Sequence, residues 1–289
     1  MQMGTSRFPL YAGLALIAAA ALGGCSTLSS AGGGSSTSAA ASPLTEVKLA
    51  ALTSTKANSF TGTMSLKMTA APGASSATGD FSMTAKFAEQ LHPSLLADVN
   101  IESLATSGMT LPGGVEEIIT PTAFYLKSAN LAQTLHLTKP WLAVPLSTLG
   151  KSSGIDMSQL MNQATSNSPL TQTRLFAGAT SVHKVGTGTI DGVPVTEYTG
   201  TVPMDKALAH FSGSLKTQLQ QQIATAGFTT EKFTVWIDDQ HLTRKATATV
   251  DGTSLSETVN MTITSINQPV NVTPPPASET SPLPAGALG

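Results

Sequence analysis

From Ser59 onward the side chains alternate: Phe60, Gly62, Met64, Leu66 and Met68 against Thr61, Thr63, Ser65, Lys67 and Thr69. A period of two belongs to a half-buried strand, because successive side chains of an extended backbone leave opposite faces. The pattern recurs in Phe81, Met83, Ala85 and Phe87 against Ser82, Thr84 and Lys86, and Pro72-Gly73 between the runs predicts an antiparallel pair with a loose turn. Leu95, Ala97, Val99 and Ile101 extend it, and residues 123–127 and 141–144 add two short strand candidates. Farther on, Asp191-Gly192, Asp238-Asp239-Gln240 and Asp251-Gly252 punctuate β-rich runs at 182–190, 193–202, 233–237, 242–250 and 254–266. Asp-Gly pairs accept the positive φ angles of tight hairpins, so the C-terminal half reads as a meander.

Helical periods interrupt the sheet. Ser42-Pro43 supplies an N-cap and a first-turn proline ahead of Val47, Ala50, Ala51 and Leu52. Ile155, Leu160 and Met161, then Leu170, Leu175 and Phe176, fit two short helices separated by Ser168-Pro169. The strongest helix spans 204–226, with Ala207, Phe211, Leu215, Leu219 and Ile223 at four-residue spacing and Leu208 beside them. Gly213 is its weak point and Gly227 its stop. Such helices need an apolar surface, and the sheet offers one face. The expected fold class is α+β: a strongly curved antiparallel sheet, a half-barrel, with helices packed on its concave face.

The ends read differently. Arg7 precedes an apolar run over residues 10–22, shorter than the ~20 residues that cross a bilayer. Leu22-Gly23-Gly24-Cys25 follows and resembles a bacterial lipobox, which makes Cys25 the expected lipidation site. Two acyl chains there, at roughly 0.8 kcal/mol per buried methylene, would anchor the chain at the cell membrane on its extracytoplasmic face. The expected division is a signal peptide at 1–24, the lipidated Cys and a Ser/Gly/Ala tether at 25–42, a folded domain at 43–268 and a Pro-rich disordered tail at 269–289.

Composition narrows the chemistry. Charged residues make up 11% of the chain, against about 25% in an ordinary globular protein, so Ser, Thr, Asn and Gln must solvate the surface. A net charge of −2 leaves no basic excess for nucleic acid. The single Cys excludes a disulfide framework. His92, His136, His183, His210 and His241 have no metal-binding spacing, and no nucleophile elbow or phosphate loop occurs. No cofactor, metal or catalytic residue is expected, and the chain reads as a non-enzyme. Glu116-Glu117 and Asp238-Asp239 are adjacent carboxylates, but strand neighbours face opposite ways and Asp favours turns. Trp141 and Trp236 read as core. Met adapts to irregular apolar partners, so a Met-rich sheet face permits a cavity.

The opening helix running into Ala57-Asn58-Ser59-Phe60-Thr61-Gly62-Thr63, the hairpin from Gly186-Thr187-Gly188 through Asp191-Gly192 to Glu197-Tyr198, and Val235-Trp236-Ile237-Asp238-Asp239 before Leu242-Thr243-Arg244-Lys245 resemble the LppX/LprAFG-type lipoproteins of actinobacteria. The resemblance spans residues 44–267 and implies a LolA-like half-barrel with a hydrophobic cavity between sheet and helices. It implies binding of a lipid or lipoglycan acyl chain for envelope lipid transport. The residues expected to line the cavity are Met64, Leu66, Met68, Phe81, Met83, Phe87, Phe211, Leu215 and Leu219. The competing expectation is a solid-cored structural lipoprotein with an envelope protein as its partner.

Overall fold

The computed structural model describes residues 41–71, 80–92, 94–106, 109–110, 114–148, 168–211 and 213–284. The export segment, Cys25, the tether up to residue 40, the Pro72-Gly73 turn and the helix expected near Ile155, Leu160 and Met161 lie outside the described residues.

Helix α1 (Pro43–Ser54) opens the domain, with Ser42 Oγ accepting the Thr45 amide at 3.2 Å. Val47, Ala50, Ala51 and Ser54 form its buried stripe, while Leu52, expected there, is 42% exposed because it falls off that spacing. The strands are β1 (Ser59–Ala70), β2 (Phe81–Gln90), β3 (Leu96–Thr106), β4 (Met109–Thr110), β5 (Val115–Ile119), β6 (Ala123–Lys127) and β7 (Trp141–Pro145), with α2 (Ala129–Thr134) between the last two. Helix α3 (Pro169–Gln172) runs into a 3-10 segment (Thr173–Gly178), which leads to β8 (Ser181–Ile190) and β9 (Val193–Pro203). After them come α4 (Met204–Leu208), α5 (Gly213–Ala226), β10 (Thr230–Ile237), β11 (Thr243–Asp251), β12 (Leu255–Ile266) and β13 (Thr280–Pro282).

All thirteen strands join one open sheet in the order β13-β7-β6-β5-β3-β2-β1-β12-β11-β10-β9-β8, with β4 paired to β3. Every pairing is antiparallel except β13 with β7. The α+β half-barrel expected from the sequence is the fold. The β8–β9 hairpin turns on Asp191 (φ 49°) and Gly192 (φ 79°), the two positive φ angles of a type I′ turn.

Two features depart from the sequence reading. The helix expected over 204–226 is two helices, because Phe211 turns inward to 8% exposure after α4 and Gly213 begins a new helix. The tail is not disordered throughout: Thr280–Pro282 pairs with Trp141, Leu142 and Ala143, and Lys139 Nζ donates to the Ala277 and Thr280 carbonyls at 2.9 and 3.1 Å.

The main core lies where α1, the 3-10 segment and α4 pack over β8 to β11. Phe60-Thr61-Gly62-Thr63 on β1 and Tyr198-Thr199-Gly200-Thr201 on β9 play matching parts in it. Each glycine lies beneath an aromatic ring of the adjoining strand, Phe87 over Gly62 and Phe233 over Gly200. A Cβ would come 2.8 Å from the first ring and 2.7 Å from the second, and would press on the Thr262 and Ser181 carbonyls as well. Gly62→Val is therefore expected to destabilise the domain by about 1–3 kcal/mol, read as a lowered denaturant midpoint at unchanged slope. A wild-type midpoint would remove the steric account.

Candidate functional site

The strand register draws rows across the concave face. One row carries Phe233, Ala248, Val259, Leu66, Met83 and Leu104 in turn, and the next carries Val235, Ala246, Met261, Met64, Ala85, Ile101 and Val115. The same alternation sends Thr and Ser outward, where they bond one another: Thr61 to Thr264 at 2.8 Å, Thr84 to Ser103 at 2.6 Å, Thr247 to Asn260 at 2.9 Å. These ladders account for a surface poor in charge.

On the concave face a second apolar cluster adjoins the main core, with Met64 and Val99 packed against both. Its centre is Met83, Ala85 and Ile101, and around it Met64, Leu66, Phe81, Val99, Leu104 and Val115 are only half-buried. Of the nine residues expected to line a cavity, Met64, Leu66, Phe81 and Met83 meet here. Met68 lies at the end of β1, half-buried opposite Phe81 and Glu257. Phe87 instead belongs to the main core, 5% exposed and edge-on to Phe60 at 5.5 Å. Phe211 is buried beyond α4, and Leu219 is half-buried on α5, whose Gln220, Gln221 and Gln222 face solvent; neither joins the cluster. The Leu215 side chain lies outside the described residues.

Of the carboxyl groups on this face, sequence reasoning named only Glu117, as half of an adjacent pair, and missed Glu89, Glu231 and Glu257. Glu117 occupies the row of Gly62, Phe87, Val99, Leu126 and Leu142; Glu89 occupies the row of Phe60, Ala97 and Ile119. At the opposite end Glu231 and Glu257 flank Val250. Burial pushes Glu117 up to about 8, with the Glu89 charge adding to it, and pushes Glu89 up to about 7. Burial likewise takes Glu231 up to about 7, Glu257 adding. The available signal was phase: Glu89 continues the inward set of Met83, Ala85 and Phe87, and Glu231 that of Phe233, Val235 and Ile237.

The adjacent acidic pairs behave as their local structure dictates. Glu116 points outward and accepts from Lys127 Nζ at 2.9 Å, while Glu117 is 6% exposed on the other face. Asp238 caps its turn, accepting from the Gln240 and Leu242 amides. Trp141 is buried, whereas Trp236 is half-buried on the outer face with Lys245 Nζ 4.6 Å above its ring. Also on that face, a depression of about 200 Å³ is lined by Thr63, Ser65, Thr84, Glu102, Asn260 and Thr262 together with Met64 and Ala85, a wall of mixed polar and apolar character. Among the described residues no three His, Cys, Asp or Glu converge as metal ligands, and no helix is long and apolar enough to cross a membrane.

No family model matches the chain. A Streptomyces griseus protein, described as an uncharacterized 31.2 kDa protein in the rplA-rplJ intergenic region, is 30% identical over 112 residues, 38% of this chain and 37% of that protein. The chain thus matches little more than a third of that relative's length. Among solved structures, Mycobacterium tuberculosis lipoprotein LppX is 20% identical, the match covering 80% of this chain and 97% of that one at a TM-score of 0.43. LprF from Mycobacterium bovis is 12% identical over 81% and 96% of the two chains at a TM-score of 0.46. A LolA superfamily protein from Nitrosomonas europaea is 9% identical over 80% and 96% at a TM-score of 0.26. Each of these three matches covers about four fifths of this chain, at a TM-score below 0.5.

Proposed function

We propose that this chain is an exported lipoprotein, anchored at the membrane through acylated Cys25, that shields the acyl chain of a lipid or lipoglycan on the concave face of its sheet during transport within the envelope. The observation that carries this reading is the half-buried ring of Met64, Leu66, Phe81, Val99, Leu104 and Val115 around Met83, Ala85 and Ile101. Side chains of this kind at the centre of a sheet ordinarily sit under a second layer. An alkyl chain laid along them would complete that layer, and at about 0.8 kcal/mol per methylene a long chain supplies on the order of 10 kcal/mol before the costs of association. No catalytic group is needed for such work.

The Cys25→Ser chain, which lacks the attachment thiol, isolates this activity from the anchor. Purified from a lipid-rich envelope and examined by native mass spectrometry, it should carry a non-covalent acyl lipid. Leu66→Asp, which sets a charge in the trough, should remove most of that lipid while the circular dichroism spectrum stays unchanged. Recovery of empty Cys25→Ser protein, after incubation with the same lipids, would favour a solid-cored scaffold with a protein partner.

A further inference from the structure

Three polar groups stand where the second apolar cluster meets the main core. Glu89, Glu117 and Ser168 are 6%, 6% and 3% exposed, and Ser168 lies beside Glu89. Glu117 directly adjoins Val99, and one row away lie Ile101 and Val115, all three of them trough residues. Within this cluster Glu117 Oε1 has no hydrogen-bond partner among the described residues, while the Ser168 hydroxyl faces Glu89 and works against the burial that raises its pKa. A buried polar atom left unpaired forfeits its hydration without recompense, and the apolar row of Phe87, Val99, Leu126 and Leu142 gives no packing reason for a carboxyl at that position.

We propose that Glu89, Glu117 and Ser168 form the polar end of the acyl-binding trough and receive the uncharged hydrogen-bonding end of an acyl lipid, its ester carbonyl and hydroxyls. This deepens the acyl-carrier reading and rests on it. A protonated carboxyl donates through O–H and accepts through its carbonyl oxygen, and a serine hydroxyl does both. The trio therefore complements a glyceryl ester, which offers carbonyl acceptors and hydroxyl donors. Burial favours the neutral carboxyls that this pairing requires. A cationic headgroup would require the opposite, ionised carboxylates.

The test compares monoolein, an uncharged glyceryl ester, with hexadecane, which has no polar end, on the Cys25→Ser chain. Glu117→Leu replaces the orphaned carboxyl by an apolar side chain suited to its row, so the fold is expected to persist, with thermal melting as the check. Glu117→Leu should weaken monoolein about 10-fold and leave hexadecane within about 2-fold. Glu117→Gln, which keeps a donor and an acceptor, should hold monoolein within about 3-fold, and Ser168→Ala should weaken it about 3-fold. Equal monoolein binding by the parent chain and Glu117→Leu would overturn the proposal, the orphaned Glu117 oxygen then being met by water. A loss in Glu117→Gln as deep as in Glu117→Leu would also overturn it, because hydrogen-bonding capacity at that position would then not be what holds the ester. A parent chain that binds neither probe would remove the carrier reading itself, and this one with it.

Discussion

Raising the pH from 5 to 9 should lower the melting temperature of this domain by at least about 10 °C. Glu89, Glu117 and Glu231, ordinarily near 4.5, are pushed by burial to about 7, about 8 and about 7 in the folded chain, and Glu257 is raised as well. Between pH 4.5 and 8 the folded state thus binds more protons than the unfolded one, and stability falls as pH rises. The loss is absent below about 4.5 and complete above about 8. Each pKa unit is worth about 1.4 kcal/mol, so the carboxyls together command several kcal/mol, a large part of a domain's usual 5–15 kcal/mol. His210 acts on the acid side: burial holds it below its ordinary 6.5, Arg174 and Lys48 adding to that, so its contribution weakens as pH falls below 6.5. Melts followed by circular dichroism at intervals from pH 4 to 9 would trace both limbs. Glu117→Gln and Glu231→Gln, neutral throughout, should each flatten the alkaline limb; a wild-type profile level from pH 5 to 9 would mean that these carboxyls are solvated.

The same carboxyls mark where the sequence was easy to read and where it was not. Strands β1 and β2 were legible because nearly every second residue is apolar and the rest are Ser, Thr or Lys, so only one register buries the right set. Asp191-Gly192 was legible because few residue pairs tolerate two positive φ angles. Strand β5 was legible only as Glu116 and Glu117 facing opposite ways, not as a full strand, because in Val115-Glu116-Glu117-Ile118-Ile119 the alternation breaks at Glu117, a charged residue type in an inward position. That break falls at the buried carboxyl proposed as the polar end of the acyl site, so the conflict between local pattern and burial coincides with the candidate site. The expected helix over 204–226 was misread for a different reason. Four-residue spacing runs straight through Phe211, and tertiary packing of that ring decides where α4 stops. Strand β13 could not be foreseen from its prolines, since its pairing depends on Trp141, some 139 residues earlier.

Asp238→Ala should cost about 3–5 kcal/mol, the largest loss expected from any single side chain outside the trough. The Asp238 side chain is 1% exposed, and its Oδ2 accepts from Arg244 Nε at 2.6 Å, with Arg244 only 13% exposed. Its Oδ1 accepts from the Gln240 and Leu242 amides at 3.0 and 2.9 Å, which shapes the β10–β11 turn. That turn in turn positions α1: His241, at φ 56°, bonds Glu46 at 2.8 Å, and the Thr243 amide donates to Ser54 Oγ at 2.9 Å. Truncation to Ala therefore strands a poorly hydrated guanidinium, frees two backbone donors and loosens the helix that covers the main core. Asp238→Asn can still accept from the turn amides but leaves Arg244 without its counter-charge, so an intermediate loss is expected. Urea denaturation gives the magnitudes, and amide hydrogen exchange gives the location: protection in α1 should fall more than in β1 and β2, which are held by their own ladders. Pairing Asp238→Ala with Arg244→Met should recover part of the loss, because the second change removes the stranded charge. A uniform drop in protection across the sheet, or a double variant no more stable than Asp238→Ala, would mean that Asp238 acts through the turn alone and not through the buried ion pair.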